Sequence, residues 1–258
     1  MRNVVLAEKK GHKFVLLNES EPGEEDGIRS NQYLVLHEGN GVLLDPGGFG
    51  VMPRALAELL DHIEPDAVKA IVLSHQDPDI VGGLATWLEV TAASVYVSRI
   101  WMRFLPHYGI KAMRRFVGVP DAGMQLEIAP GFSLALLPAH FLHSEGQINV
   151  YDPVTRILFT GDIGAAMLPN DTDYVYVDDF AAHKPYIEEF HRRYMCSNRA
   201  IRIWLETIAG LDIRMLAPQH GPIYRGQAVA DFLNWFADLE CGLDLMTAPQ
   251  AAEMGRQP

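Results

Sequence analysis

The chain has 258 residues, 48% of them hydrophobic, and a formal net charge of -12. It has no run rich in lysine or arginine, which argues against a nucleic-acid partner, and no apolar run long enough to cross a bilayer. The N-terminus "MRNVVLAEKKGHKF" is unlike a signal peptide, and Cys196 and Cys241 form no motif, so we expect a cytoplasmic protein outside the membrane.

The first half of the chain alternates between strand and helix patterns. "NQYLVLHEGNGVLLDPGG" predicts a hairpin that turns at Gly-Asn-Gly, and "PRALAELLDHI" predicts a surface helix that begins with proline. "AIVLS" is typical of a buried strand. "IVGGLATWLEV" predicts a helix, and "SVYVS" predicts another strand.

The second half repeats this alternation. Residues 99–117 are rich in aromatic side chains and predict a helix, and "FSLALLPA" predicts a strand. "GQINVYDPVTRILFTGD" predicts a second hairpin, residues 187–210 a long helix, and "DIRMLAP" a last strand. We therefore predict an α/β protein of two mixed sheets flanked by helices, with one domain at 1–245 and a flexible tail at 246–258.

Six polar residues follow the predicted strands closely. Ligands in α/β folds tend to bind at strand ends, on loops held by a rigid scaffold. Three histidines and three aspartates in such positions predict a two-metal centre, in which Asp162, at a Gly-Asp corner, could bridge both ions. The six residues are His75, Asp77, Asp79, His143, Asp162 and His220.

Each of these residues also has a simpler structural explanation. Asp79 precedes a predicted helix and could cap it, and Asp77-Pro78 could form a turn. His143 could lie on a surface loop, and a His-Gly pair such as His220-Gly221 is common in loops. Any one of them alone favours the structural explanation, whereas all six in this order favour a metal site.

The order of these motifs resembles the metallo-β-lactamase fold superfamily, whose core motif is His-x-His-x-Asp-His followed by a later His, a Gly-Asp and a final His-Gly. Here the first motif is "HQDPDI", and the later parts are "FLHSEGQINVYDPVTRILFTGD" and "LAPQHGPIYRG". "GVLLDPGG", with Asp45, matches the superfamily's early strand. The resemblance covers residues 31–226 and implies an αββα sandwich.

A carboxylate in place of the middle histidine is similar to the flavodiiron proteins, whose motif is His-x-Glu-x-Asp-His. That resemblance implies two iron ions. One would be bound by His75, Asp77 and His143, the other by Asp79 and His220, with Asp162 bridging them. Three carboxylates also suit oxidised iron better than a histidine-rich set would.

Two residues depart from the family motif. Asp77 is one methylene shorter than the family's glutamate, which leaves its distance and denticity to be determined. Ile80 replaces the last histidine, so we expect an open coordination position beside an apolar wall. Such a position suits a diatomic gas, whereas a hydrolytic zinc pair ordinarily keeps its full ligand set.

Flavodiiron reductases carry a flavodoxin-like domain after the metal domain. Only 38 residues follow His220, fewer than the roughly 100 that a flavin domain needs, so we expect no flavodoxin domain and no FMN bound by this chain. The resemblance then implies a protein that binds or reduces O2, or NO, and acts as a sensor or as an oxidoreductase. Electrons or signals would pass through a separate electron donor or signalling protein. Family analogy also implies a homodimer, and Tyr194 as a hydrogen-bond donor to bound O2.

Two other classes of function stay open. The first is a dinuclear hydrolase of a thioester, lactone or phosphoester, which would use zinc or manganese to generate a hydroxide nucleophile. The second is a scaffold that keeps the fold, binds a single metal and has no reactivity towards gases.

Overall fold

The computed structural model describes residues 3–17, 28–169, 172 and 174–247. Within these residues, the strands form two sheets of seven strands each. None of the helices among them has the length and apolar character needed to span a membrane. Most of the predicted flexible tail at 246–258 lies outside the described residues.

The first sheet takes its strands in chain order. Its first four strands are antiparallel neighbours, and strands four to seven run parallel because longer connections join them. The strands are β1 (Val4–Lys9), β2 (His12–Leu17), β3 (Gln32–His37), β4 (Asn40–Leu44), β5 (Val68–Val72), β6 (Ser94–Ser98) and β7 (Phe116–Val119).

The second sheet has the strand order β12-β14-β13-β11-β10-β9-β8. Two of its pairs, β11 with β13 and β12 with β14, are parallel. The strands are β8 (Met124–Ala129), β9 (Phe132–Pro138), β10 (Ile148–Asp152), β11 (Ile157–Gly161), β12 (Tyr176–Val177), β13 (Met215–Pro218) and β14 (Ile223–Arg225).

Helices cover the outer faces of both sheets. Those against the first sheet are α1 (Met52–Leu59), α2 (Pro78–Val81) and α3 (Leu84–Val90). Those against the second are α4 (Phe180–His183), α5 (Pro185–Tyr194), α6 (Asn198–Ile208) and α7 (Gln227–Ala237). Short 3-10 helices lie at Pro65–Ala67, Leu105–Tyr108, Met113–Arg115 and Gly242–Leu245.

Buried apolar side chains form three clusters between these four layers. One contains Trp87 and lies between α1–α3 and the first sheet; another contains Trp204 and Phe232 and lies between the second sheet and its helices. The central cluster, with Phe14 and Phe159, lies between the sheets. The predicted αββα sandwich of two mixed sheets is therefore confirmed.

Several boundaries differ from the sequence prediction. The first hairpin pairs His37 with Asn40, so its turn is at residues 38–39 and not at Gly-Asn-Gly. Residues 99–117 do not form the predicted helix: Pro106 and Gly109, at φ +77°, restrict the segment to two 3-10 turns before β7. The sequence patterns also did not predict strands β1, β2, β7, β8, β12 and β14 or helices α4 and α7.

Two predicted helices are each interrupted. The helix over 80–90 is divided between α2 and α3, and a Cβ at Gly83 would lie 2.8 Å from the carbonyl oxygen of Gly47. The long helix over 187–210 ends at Tyr194 and begins again at Asn198, because Ser197 is extended and its hydroxyl caps α6 at the Ala200 amide.

A buried histidine–aspartate contact joins the two sheets. His12 Nε2 on β2 lies 2.7 Å from Asp152 Oδ2 at the end of β10, and the two side chains are 1% and 0% exposed. Asp152 also accepts hydrogen bonds from the Val154 amide and the Thr155 hydroxyl. Together these contacts satisfy a carboxylate that burial alone would strongly disfavour.

We expect His12→Ala to destabilise the protein by about 3 kcal/mol, because the substitution leaves the buried Asp152 carboxylate without its partner. Urea denaturation of the metal-free protein would measure this change. His107→Ala, at an exposed position, should change stability by less than about 0.5 kcal/mol. Equal stability of the two variants would contradict a role for the pair.

Candidate metal centre

The six predicted site residues come together at one end of the sandwich. They follow the carboxyl ends of β5, β9, β11 and β13, where loops from both sheets meet. Of the first three, His75 and Asp77 lie on the loop that runs from β5 to α2, and Asp79 lies in the first turn of α2. The sheets therefore bring together residues that are up to 145 positions apart in the sequence.

The first group of side chains contains two histidines and two carboxylates. Asp162 Oδ2 lies 3.8 Å from His75 Nε2 and 3.5 Å from His143 Nε2. Asp77 Oδ2 lies 3.7 Å and 3.0 Å from the same two nitrogens. Among the described residues, one ligand atom each of His75, His143 and Asp162 lie within 4.8 Å of one another, a spacing that could hold a metal ion.

The second group uses the other oxygen of the same aspartate. His220 Nε2 lies 3.6 Å from Asp162 Oδ1 and 3.2 Å from Asp79 Oδ2. Asp162 thus directs Oδ2 to the first group and Oδ1 to the second. This is the arrangement that a carboxylate bridging two cations requires.

The alternative of helix capping does not account for the aspartates of the first loop. Asp77 occupies the N-cap position of α2 with no side-chain cap hydrogen bond, and Asp79 lies inside the first turn. Both side chains are directed at histidines instead.

The site has a buried floor and an open mouth. The side chains of His75, Asp162 and His220 are 1%, 5% and 6% exposed, whereas those of Asp77 and Asp79 are 34% and 37% exposed. Solvent and small ligands would therefore reach the site on the side of Asp77 and Asp79.

Two histidines are oriented by hydrogen bonds at Nδ1. His75 Nδ1 lies 2.9 Å from Ser74 Oγ, whose hydroxyl donates to Asp45 Oδ2 at 2.6 Å. His220 Nδ1 lies 2.8 Å from the carbonyl oxygen of Arg29 and donates to it. When neutral, both rings thus present the lone pair of Nε2 to the site, as metal-binding histidines do.

The charges within the site stabilise one another. Burial lowers the pKa of His75, but nearby carboxylates, above all Asp162, raise it to about 8. Burial also opposes the charge of His220, while its hydrogen bond with Asp79 and the charge of Asp162 bring its pKa to about 9. Hydrogen bonds from His143 and His75 hold the pKa of Asp77 well below its usual range. The carboxylates therefore attract cations, and a bound metal would displace the protons on the histidines.

The surroundings of Asp162 Oδ1 show whether the site suits a metal ion. This oxygen is buried and has no hydrogen-bond partner among the described residues, as is also true of His143 Nδ1. Buried polar atoms almost always have a partner, so an unpartnered carboxylate oxygen between two groups of histidines is consistent with a cation ligand there. The residues present therefore fit a pair of metal ions.

Two glutamines that the sequence analysis missed hold the outer carboxylates. Gln76 Nε2 donates to Asp77 Oδ1 at 3.0 Å, which leaves Oδ2 facing His143. Gln219 Nε2 donates to Asp79 Oδ2 at 2.9 Å. Asp77 thus reaches the first group through one oxygen, despite its shorter side chain. Only the position of each glutamine, directly beside a predicted ligand, could have indicated this role.

The remaining candidates lie beside the groups. Tyr194 is 53% exposed, and its ring packs edge to face on His143, with centroids 5.4 Å apart. The role of its hydroxyl towards O2 stays a prediction. Ile80 is fully buried in the cluster around Trp87, so the position of the family's last histidine contributes to the core.

The fold and site define a metallo-β-lactamase-like protein with a two-part histidine–carboxylate centre. A family model described as ODP family beta lactamase matches residues 28–221, and the chain belongs to this family.

Two solved structures are similar over nearly the whole chain. The peroxy diiron species of chemotaxis sensor ODP is 42% identical with a TM-score of 0.85, over 95% of this chain and 98% of that one. The apo state of chemotaxis sensor ODP from T. denticola is 42% identical with a TM-score of 0.83, over 94% and 97%.

More distant relatives share the fold as part of longer chains. Putative diflavin flavoprotein A 1 of Nostoc sp. is 26% identical over 184 residues, 67% of this chain and 30% of that protein. The chain spans about a third of the length of the curated relatives that it matches. Rubredoxin oxygen:oxidoreductase of the anaerobe Desulfovibrio gigas is 16% identical with a TM-score of 0.78, over 91% of this chain and 61% of that one.

We expect Gln76→Ala to weaken metal binding at the first group about 10- to 100-fold, because Asp77 loses the amide that orients it. Gln219→Ala should have the same effect at the second group only. A cobalt titration followed by visible absorption would measure the two affinities, with the exposed Gln125→Ala as control. Equal losses at both groups in each variant would contradict the separate roles.

Proposed function

We propose that this protein is a non-haem diiron protein that binds O2. The observation that carries the proposal is the buried Asp162 carboxylate, which divides its two oxygens between two histidine–carboxylate groups. Membership of the ODP family and the likeness to a diiron form of chemotaxis sensor ODP support iron as the metal.

The proposed ligands follow the two groups. His75, Asp77 and His143 would hold one iron, and Asp79 and His220 the other. Asp162 would bridge them. Three carboxylates in the set favour the higher oxidation state, and when bound the iron pair supplies the electrons for binding O2.

The chain's own residues would control access and orientation. The partly exposed Asp77 and Asp79 lie at the mouth through which a small ligand enters. The ring of Tyr194 packs on His143, one of the proposed iron ligands, and this contact supports the proposal that the Tyr194 hydroxyl donates to bound O2. NO is the alternative small ligand.

We further propose that the protein acts as an oxygen sensor for a signalling protein. The likeness to chemotaxis sensor ODP, at 42% identity over 98% of that chain, supports this role. An oxidoreductase that takes electrons from a separate donor is the alternative within the same chemistry. We also propose a single domain over 1–245, a cytoplasmic location and a homodimer.

Protein loaded anaerobically with ferrous iron should bind about two irons per chain, and O2 should then produce a visible absorption band without any flavin. Asp162→Asn should lose iron from both positions, because each group loses part of a shared charged ligand. Asp238→Asn, 87% exposed, is the matched control and should keep both irons. Full iron content in Asp162→Asn would disprove the bridge.

A second arm of this experiment tests the hydrolase alternative. The zinc form would be assayed against ester, thioester, lactone and phosphoester substrates. Rapid hydrolysis, together with no optical change when the iron form meets O2, would overturn the proposal in favour of a hydrolase.

A further inference from the structure

One segment of this acidic chain has only basic residues among its charged side chains. The whole chain has 33 acidic and 21 basic residues, yet residues 90–120 include no aspartate or glutamate. The same stretch contains Arg99, Arg103, Lys111, Arg114 and Arg115. Charged surfaces ordinarily mix both signs, so a segment with one sign sets up a local field opposite to that of the molecule.

Arg115 has a structural role within this stretch. Its guanidinium donates to the carbonyl oxygens of Leu88, Thr91 and Ala93 at 2.7, 3.0 and 2.8 Å, and so joins the segment to the chain after α3. The other four basic side chains are exposed. None of them takes part in a salt bridge with a described residue.

Apolar side chains are exposed among these charges. Ile100 is 39% exposed and Phe104 is 41% exposed, and the guanidinium of Arg103 lies 5.0 Å from the centroid of the Phe104 ring. Arginine and aromatic residues are enriched in protein–protein interfaces. We define the basic surface as Arg99, Ile100, Arg103, Phe104, Lys111 and Arg114.

The segment that carries the basic surface also contacts the loops of the metal centre. The Tyr108 hydroxyl donates to the carbonyl oxygen of Gln76 at 2.7 Å, between His75 and Asp77. On the other loop, a Cβ at Gly146 would lie 2.8 Å from Ile100, so the Ile100 side chain packs against the turn that follows His143. A protein bound to the basic surface would therefore contact a segment that itself touches the loops carrying His75 and His143.

We propose that the basic surface is a docking site for an acidic segment of another protein. The -12 net charge of the whole chain repels an acidic partner on average, so the field favours its approach to a surface that carries only positive charge. The same net charge disfavours a nucleic acid, whose binding needs many phosphate contacts. A second copy of this chain is also disfavoured as the partner. Its acidic face would differ from the basic surface, and such a heterologous contact forms open chains of molecules unless it happens to close into a ring.

This proposal names the kind of partner that the proposed sensor would use, and to that extent it rests on the proposed function. The charge argument itself needs no metal. Docking can therefore be measured first on metal-free protein, so that failure to dock and failure to bind iron are separate results.

The test uses a fluorescein-labelled, glutamate-rich peptide as probe, followed by fluorescence anisotropy at low salt. Arg103→Glu/Arg114→Glu should weaken its binding at least about tenfold. The matched control Lys10→Glu/Lys69→Glu reverses two exposed charges outside the basic segment and gives the same net charge, so binding should change by less than about twofold. Thermal unfolding verifies that both variants fold, and Arg103→Gln/Arg114→Gln should show a smaller loss in the same direction.

Three results would overturn the proposal. One is that the control variant loses as much peptide binding as Arg103→Glu/Arg114→Glu, or that neither variant loses any. Another is binding of a glutamine-rich version of the peptide, or of a short DNA duplex, with the same dependence on Arg103 and Arg114. The third is a concentration-dependent oligomer in sedimentation that Arg103→Glu/Arg114→Glu dissociates, which would assign the surface to a second copy.

Discussion

The arrangement of the site depends on the carboxylate of Asp162. Asp162 directly follows β11, and its side chain is almost fully buried. One of its oxygens faces His75 and His143, and the other faces His220. These residues come from the two different sheets, so the carboxylate also joins the two halves of the sandwich at their open end. Burying such a charge without compensation is costly, and the surrounding histidines and the proposed cations provide that compensation.

Rigid contacts around this carboxylate keep the other groups in place. Hydrogen bonds from His75 to Ser74 and from Ser74 to Asp45 hold the ring of His75. The carbonyl oxygen of Arg29 holds the ring of His220. Gln76 and Gln219 orient the two carboxylates at the mouth. The site is therefore organised before a ligand arrives, which reduces the free energy needed to assemble it.

The sequence predicted the layers better than it predicted the connections, and the six candidate site residues that it indicated lie together in the structure. Buried strands such as β5 are recognisable because apolar runs and the polar residues that follow them are local features. The segment after β6 was wrongly predicted as a helix, since its aromatic residues suggested a periodicity that Pro106 and Gly109 interrupt. The roles of Gln76 and Gln219 could not be predicted, because the Ser144 hydroxyl that holds Gln76 and the Asp79 carboxylate that accepts from Gln219 are distant in the sequence.

Anomalous diffraction at the iron edge, from crystals of the iron-loaded protein, would show whether the Asp162 carboxylate joins two metal positions. We expect two peaks, one beside Nε2 of His75 and His143 and the other beside Nε2 of His220, with one oxygen of Asp162 directed at each. A single peak, or two peaks of which only one contacts Asp162, would contradict this expectation.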